Sequence, residues 1–218
     1  MVDYARPFTQ GEVDAAAHRS RVGGKWRRLG RLQFDFMRGQ ELRPDSLLLD
    51  VGCGALRGGA HFVSFLDPGH YYGIDVNQSL LDAGYDRELA AELRDKLPRD
   101  NLRATGRFDC DFGVAFDFAL AQSLFTHAPL NGVRLCLYRV AKVMRPGGRF
   151  YATFFEPPQD LPLDGVIETR RGISTERNPF WYWPQDLEWA ASFAPWRFRY
   201  IGDWGHPRDQ RMVEFTRR

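Results

Sequence analysis

LLLDVGCGALRGG, residues 47–59, is an apolar run that meets an acid and then breaks into glycines. Leu47 to Val51 is too short and too continuously apolar for a surface helix, so it reads as a buried parallel strand. Gly52-Cys53-Gly54 reads as a tight turn into a helix. Two glycines after a strand let a nucleoside-bearing ligand lie against main-chain N–H groups, and an acid ending the next strand can bind ribose hydroxyls. Such an acid stands 25 positions after Asp50, as Asp75 in YYGIDVNQ. Glycines also serve plain turns that need positive φ. The flanking strand and helix, and the acid of the second strand, favour the ligand reading.

Working outward, Thr9-x-x-Glu12 is a capping box that predicts a helix to about Ser20. Trp26, Leu29, Leu32 and Phe36 form the stripe of a second helix, and Gly23-Gly24 between the two is either a hinge or a simple turn. After the glycine loop, helices are expected over Ala60–Leu66, Asn77–Gly84 and Arg87–Leu97, and strands over Leu102–Thr105 and Phe116–Ala121. Pro129 opens a helix with the stripe Val133, Leu137, Val140 and Met144, and Arg149–Phe155 is the fifth strand. This βα alternation requires a doubly wound parallel sheet. Glu156–Pro195 is rich in proline and carries Phe180-Trp181-Tyr182-Trp183, which either enclose an apolar acceptor or pack as core; Gln185–Phe193 is its one predicted helix. Phe198–Ile201 and Arg211–Thr216 read as an antiparallel hairpin.

The segments DVGCGALRGG, GIDVNQSLLDAG, FDFALAQSLFTH and MRPGGRFYATFF together resemble the class I S-adenosylmethionine-dependent methyltransferases over roughly Leu47 to Phe155. The resemblance implies an α/β, Rossmann-like fold: a doubly wound, mostly parallel seven-stranded sheet closed by an antiparallel C-terminal hairpin. It implies one domain over residues 1–218, with a helical cover at 1–40, a cofactor-binding core at 41–155, a substrate cover at 156–195 and the hairpin at 196–218. The cofactor implied is S-adenosyl-L-methionine, held by Asp50, Gly52, Cys53 and Gly54, by Asp75, Val76 and Asn77, and by Gln122 and Ser123 at the end of the fourth strand. An acid near Asp109 accepts from the adenine amine in that family, and Asp109 is chosen over Asp111. The family's third glycine falls at Leu56, so the loop is expected to turn through Gly58-Gly59.

At 218 residues, 44% hydrophobic and 27% charged, the composition is that of an ordinary globular chain. No apolar run approaches membrane-spanning length and MVDYARPFTQ lacks a secretion signal's apolar core, so a soluble, cytoplasmic protein without a membrane partner is expected. Cys53, Cys110 and Cys136 lack the spacing of a disulfide framework or zinc site, and no metal is expected. A net charge of +2 implies no polyanion partner. Residues 1–40 hold eight basic residues against four acidic ones, which fits a solvated helix face or, less simply, phosphate binding.

Methyl transfer from a sulfonium is an in-line displacement in which the protein mainly aligns donor and acceptor. A hydroxyl acceptor needs a base. His127, after the fourth strand, is the first candidate, with loop support as its other reading, and Glu156 is the second. His18, His61 and His206 have no comparable placement, although His206 in the hairpin turn could reach a mouth. The function expected is O-methylation of a small-molecule acceptor, with nucleic acid disfavoured and a homodimer allowed. An RNA or protein methyltransferase, and a non-catalytic nucleotide-binding module or dehydrogenase, are the alternatives.

Overall fold

The structure, a computed structural model, describes residues 4–21, 23–158, 173, 176 and 178–218. Seven strands form one sheet: β1 (Leu48–Val51), β2 (Tyr71–Asp75), β3 (Leu102–Ala104), β4 (Phe116–Ala121), β5 (Met144–Phe155), β6 (Trp196–Asp203) and β7 (Gln210–Arg217). Their order is β3-β2-β1-β4-β5-β7-β6. β1 runs parallel to β2 and β4, β4 parallel to β5, and β7 antiparallel to both β5 and β6. The chain therefore winds outward one way from β1 and then the other way from β4. The crevice at the carboxyl ends of these two strands is the switch point where open α/β sheets take ligands.

Period-two alternation along the buried strands builds a core on each face. Leu48, Phe118, Leu120 and Tyr151 face one way, toward α3 (Trp26–Gly39) and α4 (Gly59–Phe65). Leu49, Val51, Ala119 and Phe150 face the other, toward α6 (Leu130–Val143) and α7 (Pro184–Ala191). The capping box forms, but the first predicted helix is broken into α1 (Gln10–Asp14) and α2 (Ala17–Arg21) at Ala16, whose φ is +55°. α5 is Gln78–Ala83. The helix expected over Arg87–Leu97 is absent. A π-helical turn at Gly84–Glu88 and a 3-10 segment at Ala91–Lys96 replace it, because extended Leu89 and Ala90 turn the buried Leu89 side chain inward.

The glycine loop also corrects an expectation. It turns at Leu56 itself, with φ +61°, whereas Gly58 and Gly59 are already helical in backbone. A left-handed Leu costs about 1–2 kcal/mol. Its fully buried side chain offsets that, since burial of a Leu is worth about 1.5–3 kcal/mol. Gly58 and Gly59 are needed for close approach: a Cβ would stand 2.4 Å from Gln33 Oε1 at Gly58 and 2.5 Å from Tyr71 Oη at Gly59. Gly59→Ala is accordingly expected to destabilise the protein by about 1–3 kcal/mol, by pushing the buried Tyr71 ring aside. Chemical denaturation checks this; a midpoint equal to that of the parent would show that the ring yields freely.

Candidate active site

The site grows from the end of β1. Gly52 and Gly54 take φ of +78° and +55°, so the chain doubles back and directs its amides at β2. Gly52 N and Cys53 N donate to Ile74 O at 2.7 and 3.0 Å, and Gly54 N donates to Asp75 Oδ2 at 2.9 Å. Asp75 Oδ1 accepts from Asn77 N at 2.9 Å, so each carboxylate oxygen is fixed by one backbone donor and keeps a lone pair for a ligand. Burial raises the Asp75 pKa against the backbone donors of Asn77, Gly54 and Val76, which lower it. Behind the loop, Tyr71 Oη donates to buried Asp50 at 2.8 Å. Burial pushes Asp50 up to about 7, although that hydrogen bond and the Arg57 charge oppose it.

These groups line a cavity of about 1030 Å³, which also reaches Thr105, Phe108 and the residues after β4. There Ser123 sits at φ +62° and its amide donates to Thr153 Oγ1 at 2.6 Å. Gln210 Oε1 gathers three donors: Ser123 Oγ at 2.9 Å, Thr153 Oγ1 at 2.8 Å and Gln122 Nε2 at 3.2 Å. Gln122 Oε1 in turn accepts from Gln33 Nε2 at 3.0 Å and from the buried Arg57 guanidinium. This polar layer joins β4, β5, β7, α3 and the glycine loop.

His127 lies on the same cavity. Its Nδ1 is 2.8 Å from Asn178 Oδ1, an acceptor, so the proton belongs on Nδ1 and Nε2 keeps its lone pair. Tyr4 packs on the imidazole with ring centroids 4.7 Å apart and its hydroxyl 3.0 Å from Nδ1 and 3.4 Å from Nε2. Burial, assisted by the Arg208 charge, lowers the His127 pKa from its ordinary 6.5, and the ring is neutral at neutral pH.

A family model described as a methyltransferase domain matches residues 49–150. The fold is that of solved methyltransferases. The sugar N-methyltransferase KedS8 from Streptoalloteichus sp ATCC 53650 superposes with TM-score 0.65 at 19% identity, covering 100% of this chain and 98% of its own. Magnesium protoporphyrin IX methyltransferase (ChlM) from Synechocystis PCC 6803 with bound SAH superposes with TM-score 0.61 at 15% identity, covering 89% and 86%. The fold is thus that of the class I S-adenosylmethionine-dependent methyltransferases. Among curated relatives, the 18S rRNA (guanine(1575)-N(7))-methyltransferase of Saccharomyces cerevisiae is 27% identical over 134 residues, 60% of this chain and 47% of that protein. The chain thus spans about half the length of that relative.

The residues fit the methyltransferase cofactor, S-adenosylmethionine. A Cβ at Gly52 would press to 3.2 Å from Leu124, the loop beside it is bare backbone, and Asp75 ends the neighbouring strand as a ribose partner should. Of the predicted contacts, Asp50, Gly52, Cys53, Gly54, Asp75, Val76, Gln122 and Ser123 all line the cavity. Asn77 does not: it is buried, its side chain caps α5 through Leu80 N, and Nδ2 donates to Tyr4 O at 3.0 Å and Arg6 O at 2.8 Å. Asp109 is exposed and pairs with Arg103 at 3.2 Å, leaving Thr105 and Phe108 as the lining of that end. Glu156 also lies off the cavity, because the strand turns it toward the hairpin, where Tyr200 Oη donates to it at 2.5 Å and Arg211 stands 3.6 Å away. Tyr182 is core, with its hydroxyl donating to Ala128 O, and none of Phe180 to Trp183 lines the cavity, whereas Asn178 and Pro179 do. Of the segment read as a substrate cover, residues 159–172 with 174, 175 and 177 lie outside the described residues.

Sequence reading missed Tyr4, Gln33, Arg57, Asn178 and Gln210. Only Gln33 carried a signal, as a polar residue on the buried side of α3.

Asp75→Ala is expected to weaken S-adenosylmethionine binding by about 1–3 kcal/mol, while Asp109→Ala leaves it unchanged. Calorimetric titration of both folded variants decides this, and equal losses would return Asp109 to the site. Because Asp50 is held near 7 by burial, a cationic ligand favours its ionised form. Affinity should therefore rise with pH between about 6 and 8, and rise less in Asp50→Asn. A flat affinity profile in the parent protein contradicts that linkage.

Proposed function

We propose that this methyltransferase transfers the methyl group to a hydroxyl of a small-molecule acceptor, with His127 as the base. The observation that carries the reading is the pairing of a neutral, half-buried imidazole, fixed by Asn178, with the Asp75-anchored glycine loop on one cavity. Bound there, S-adenosylmethionine supplies an electrophilic methyl group on a sulfonium. Asp75 and the loop hold its nucleoside. Asn178 keeps the His127 proton on Nδ1, so Nε2 can take the acceptor's proton as the oxygen attacks. Tyr4 covers the imidazole and limits water at that end of the cavity.

RNA methylation is the second reading, supported by the rRNA methyltransferases among the curated relatives, which include a probable 18S rRNA (guanine-N(7))-methyltransferase from Dictyostelium discoideum, 30% identical over 113 residues, 50% of this chain and 38% of that protein. The basic N-terminal region lends it little. Arg6 and Arg31 pair with Glu12 and Asp35, as residues of a solvated face do, and Arg19 is taken up by the buried carboxylate of Glu88. Binding of an rRNA fragment that weakens steeply with salt would favour it.

For the preferred reading, His127→Ala should lower turnover about a hundredfold or more at unchanged cofactor affinity, and Asn178→Ala should lower it less. Because the His127 pKa lies below 6.5, kcat/KM should be flat through neutral pH and fall as the imidazole protonates at lower pH. That acid limb should vanish in His127→Ala. A limb that persists, or equal losses in binding and rate, would assign His127 a structural role.

A further inference from the structure

Two arginines share the acceptor side of the cavity. Arg57, from the glycine loop, is buried; its guanidinium donates to Gln122 Oε1 and, at 3.3 Å, to Gly24 O. Arg208, from the connection between β6 and β7, donates to Gly23 O and lines the same cavity. The Gly23-Gly24 pair is thus neither a bare turn nor idle. With φ of +92° and +59°, conformations that L side chains rarely adopt, its consecutive carbonyls receive one guanidinium each. A Cβ at Gly23 would stand 3.0 Å from Arg208 Nη1.

The Gly23 carbonyl orients Arg208 without neutralising it. Among the described residues Arg208 forms no ion pair with a carboxylate, and two guanidinium groups held near each other in a half-enclosed space repel. The field is felt by the neighbours. Burial lowers the pKa of both Arg57 and His127 and the Arg208 charge adds to it, and His206 is driven down to about 4 by burial and by Arg57, Arg208, Lys25 and Arg28. Asp50, at the end of β1, acts on Arg57 and raises its pKa, whereas neither Asp50 nor Asp75 is among the charges that shift His127 or His206. A guanidinium has five donors in a planar fork, and the bond to Gly23 O leaves the rest of the Arg208 fork available.

We infer that Arg208, supported by Arg57 and the Gly23-Gly24 carbonyls, forms an anion-binding subsite that takes a carboxylate or phosphate group of the methyl acceptor. This rests on the reading of the cavity as a joint cofactor and acceptor site. It makes the acceptor a small molecule with both a hydroxyl, which meets His127, and an anionic group, which meets Arg208.

The test uses the full chain saturated with S-adenosylhomocysteine and titrated with benzoate, phenyl phosphate and neutral benzamide. At least one anion should bind about tenfold tighter than benzamide, and the better of the two identifies the anion's chemistry. Arg208→Gln should abolish that preference and Arg208→Lys should keep part of it, with S-adenosylhomocysteine affinity within about twofold of the parent in both. Equal binding of anions and amide, or no anion binding up to about 10 mM, would overturn the subsite. So would an Arg208→Gln variant that loses cofactor affinity but keeps the anion preference, since Arg208 would then hold the cofactor's own carboxylate. Displacement of the anions by a short RNA at lower concentration would assign the arginines to a nucleic-acid backbone and equally overturn it. If the parent fails to bind S-adenosylhomocysteine at all, the cofactor reading falls first and the subsite with it; if it binds and only the anion arm fails, the subsite alone falls.

Discussion

The carboxylate of Asp75 holds the site together. One oxygen accepts from Gly54 N and the other from Asn77 N, so a single side chain clamps the glycine loop of β1 to the start of α5. Asn77 passes the constraint on: its side chain caps α5 and grips the carbonyls of Tyr4 and Arg6, while Phe8 N donates to Ser79 Oγ at 2.8 Å. The N-terminal segment is thereby tied across the cavity from the end of β2, where the cofactor's ribose is expected, to His127 beyond β4. Burial of Asp75 raises the cost of its charge, and backbone donors offset part of that cost. A ribose diol would add to the same acceptors.

The sheet explains why the remaining chemistry lies beside this clamp. Strand order reverses between β1 and β4, so a crevice opens at their carboxyl ends and side chains from distant segments converge there. Gln210 from β7 meets Ser123, Thr153 and Gln122, and Gln33 and Arg57 arrive from the opposite side. Buried amides and a guanidinium are stable in such a layer because each finds a partner, and the rigidity that results fixes the cavity wall. The antiparallel hairpin of β6 and β7 completes the wall with Arg208 and Gln210.

Much of this was legible from local sequence. The strand LLLDV, the turn GCG and the acid of GIDVNQ follow from short-range rules, and they lie where those rules put them. The failures are equally physical. Leu56 adopts a left-handed conformation that a propensity argument assigns to glycine, because burial of its side chain outweighs the strain. Asp109 looked suited to a ligand but found Arg103, and Glu156 found Tyr200 and Arg211, since surface charges pair with whatever the fold brings near. Tyr4, Asn178 and Arg208 reach the cavity only through tertiary folding, across 123 residues in the case of Tyr4 and His127, and no local pattern announces such a meeting.

The cavity therefore has Asp75 at the β2 terminus and Arg208 beside His127, with Asp50 and Arg57 acting on each other between the glycine loop and Gln122. That arrangement suits a cationic methyl donor beside Asp75 and an anionic hydroxyl compound beside Arg208. A crystal structure with S-adenosylhomocysteine tests this most directly. The account predicts ribose hydroxyls within hydrogen-bond distance of the Asp75 carboxylate and the thioether sulfur facing the His127 and Arg208 side of the cavity. A nucleoside bound away from Asp75, or a sulfur directed away from His127, would contradict it.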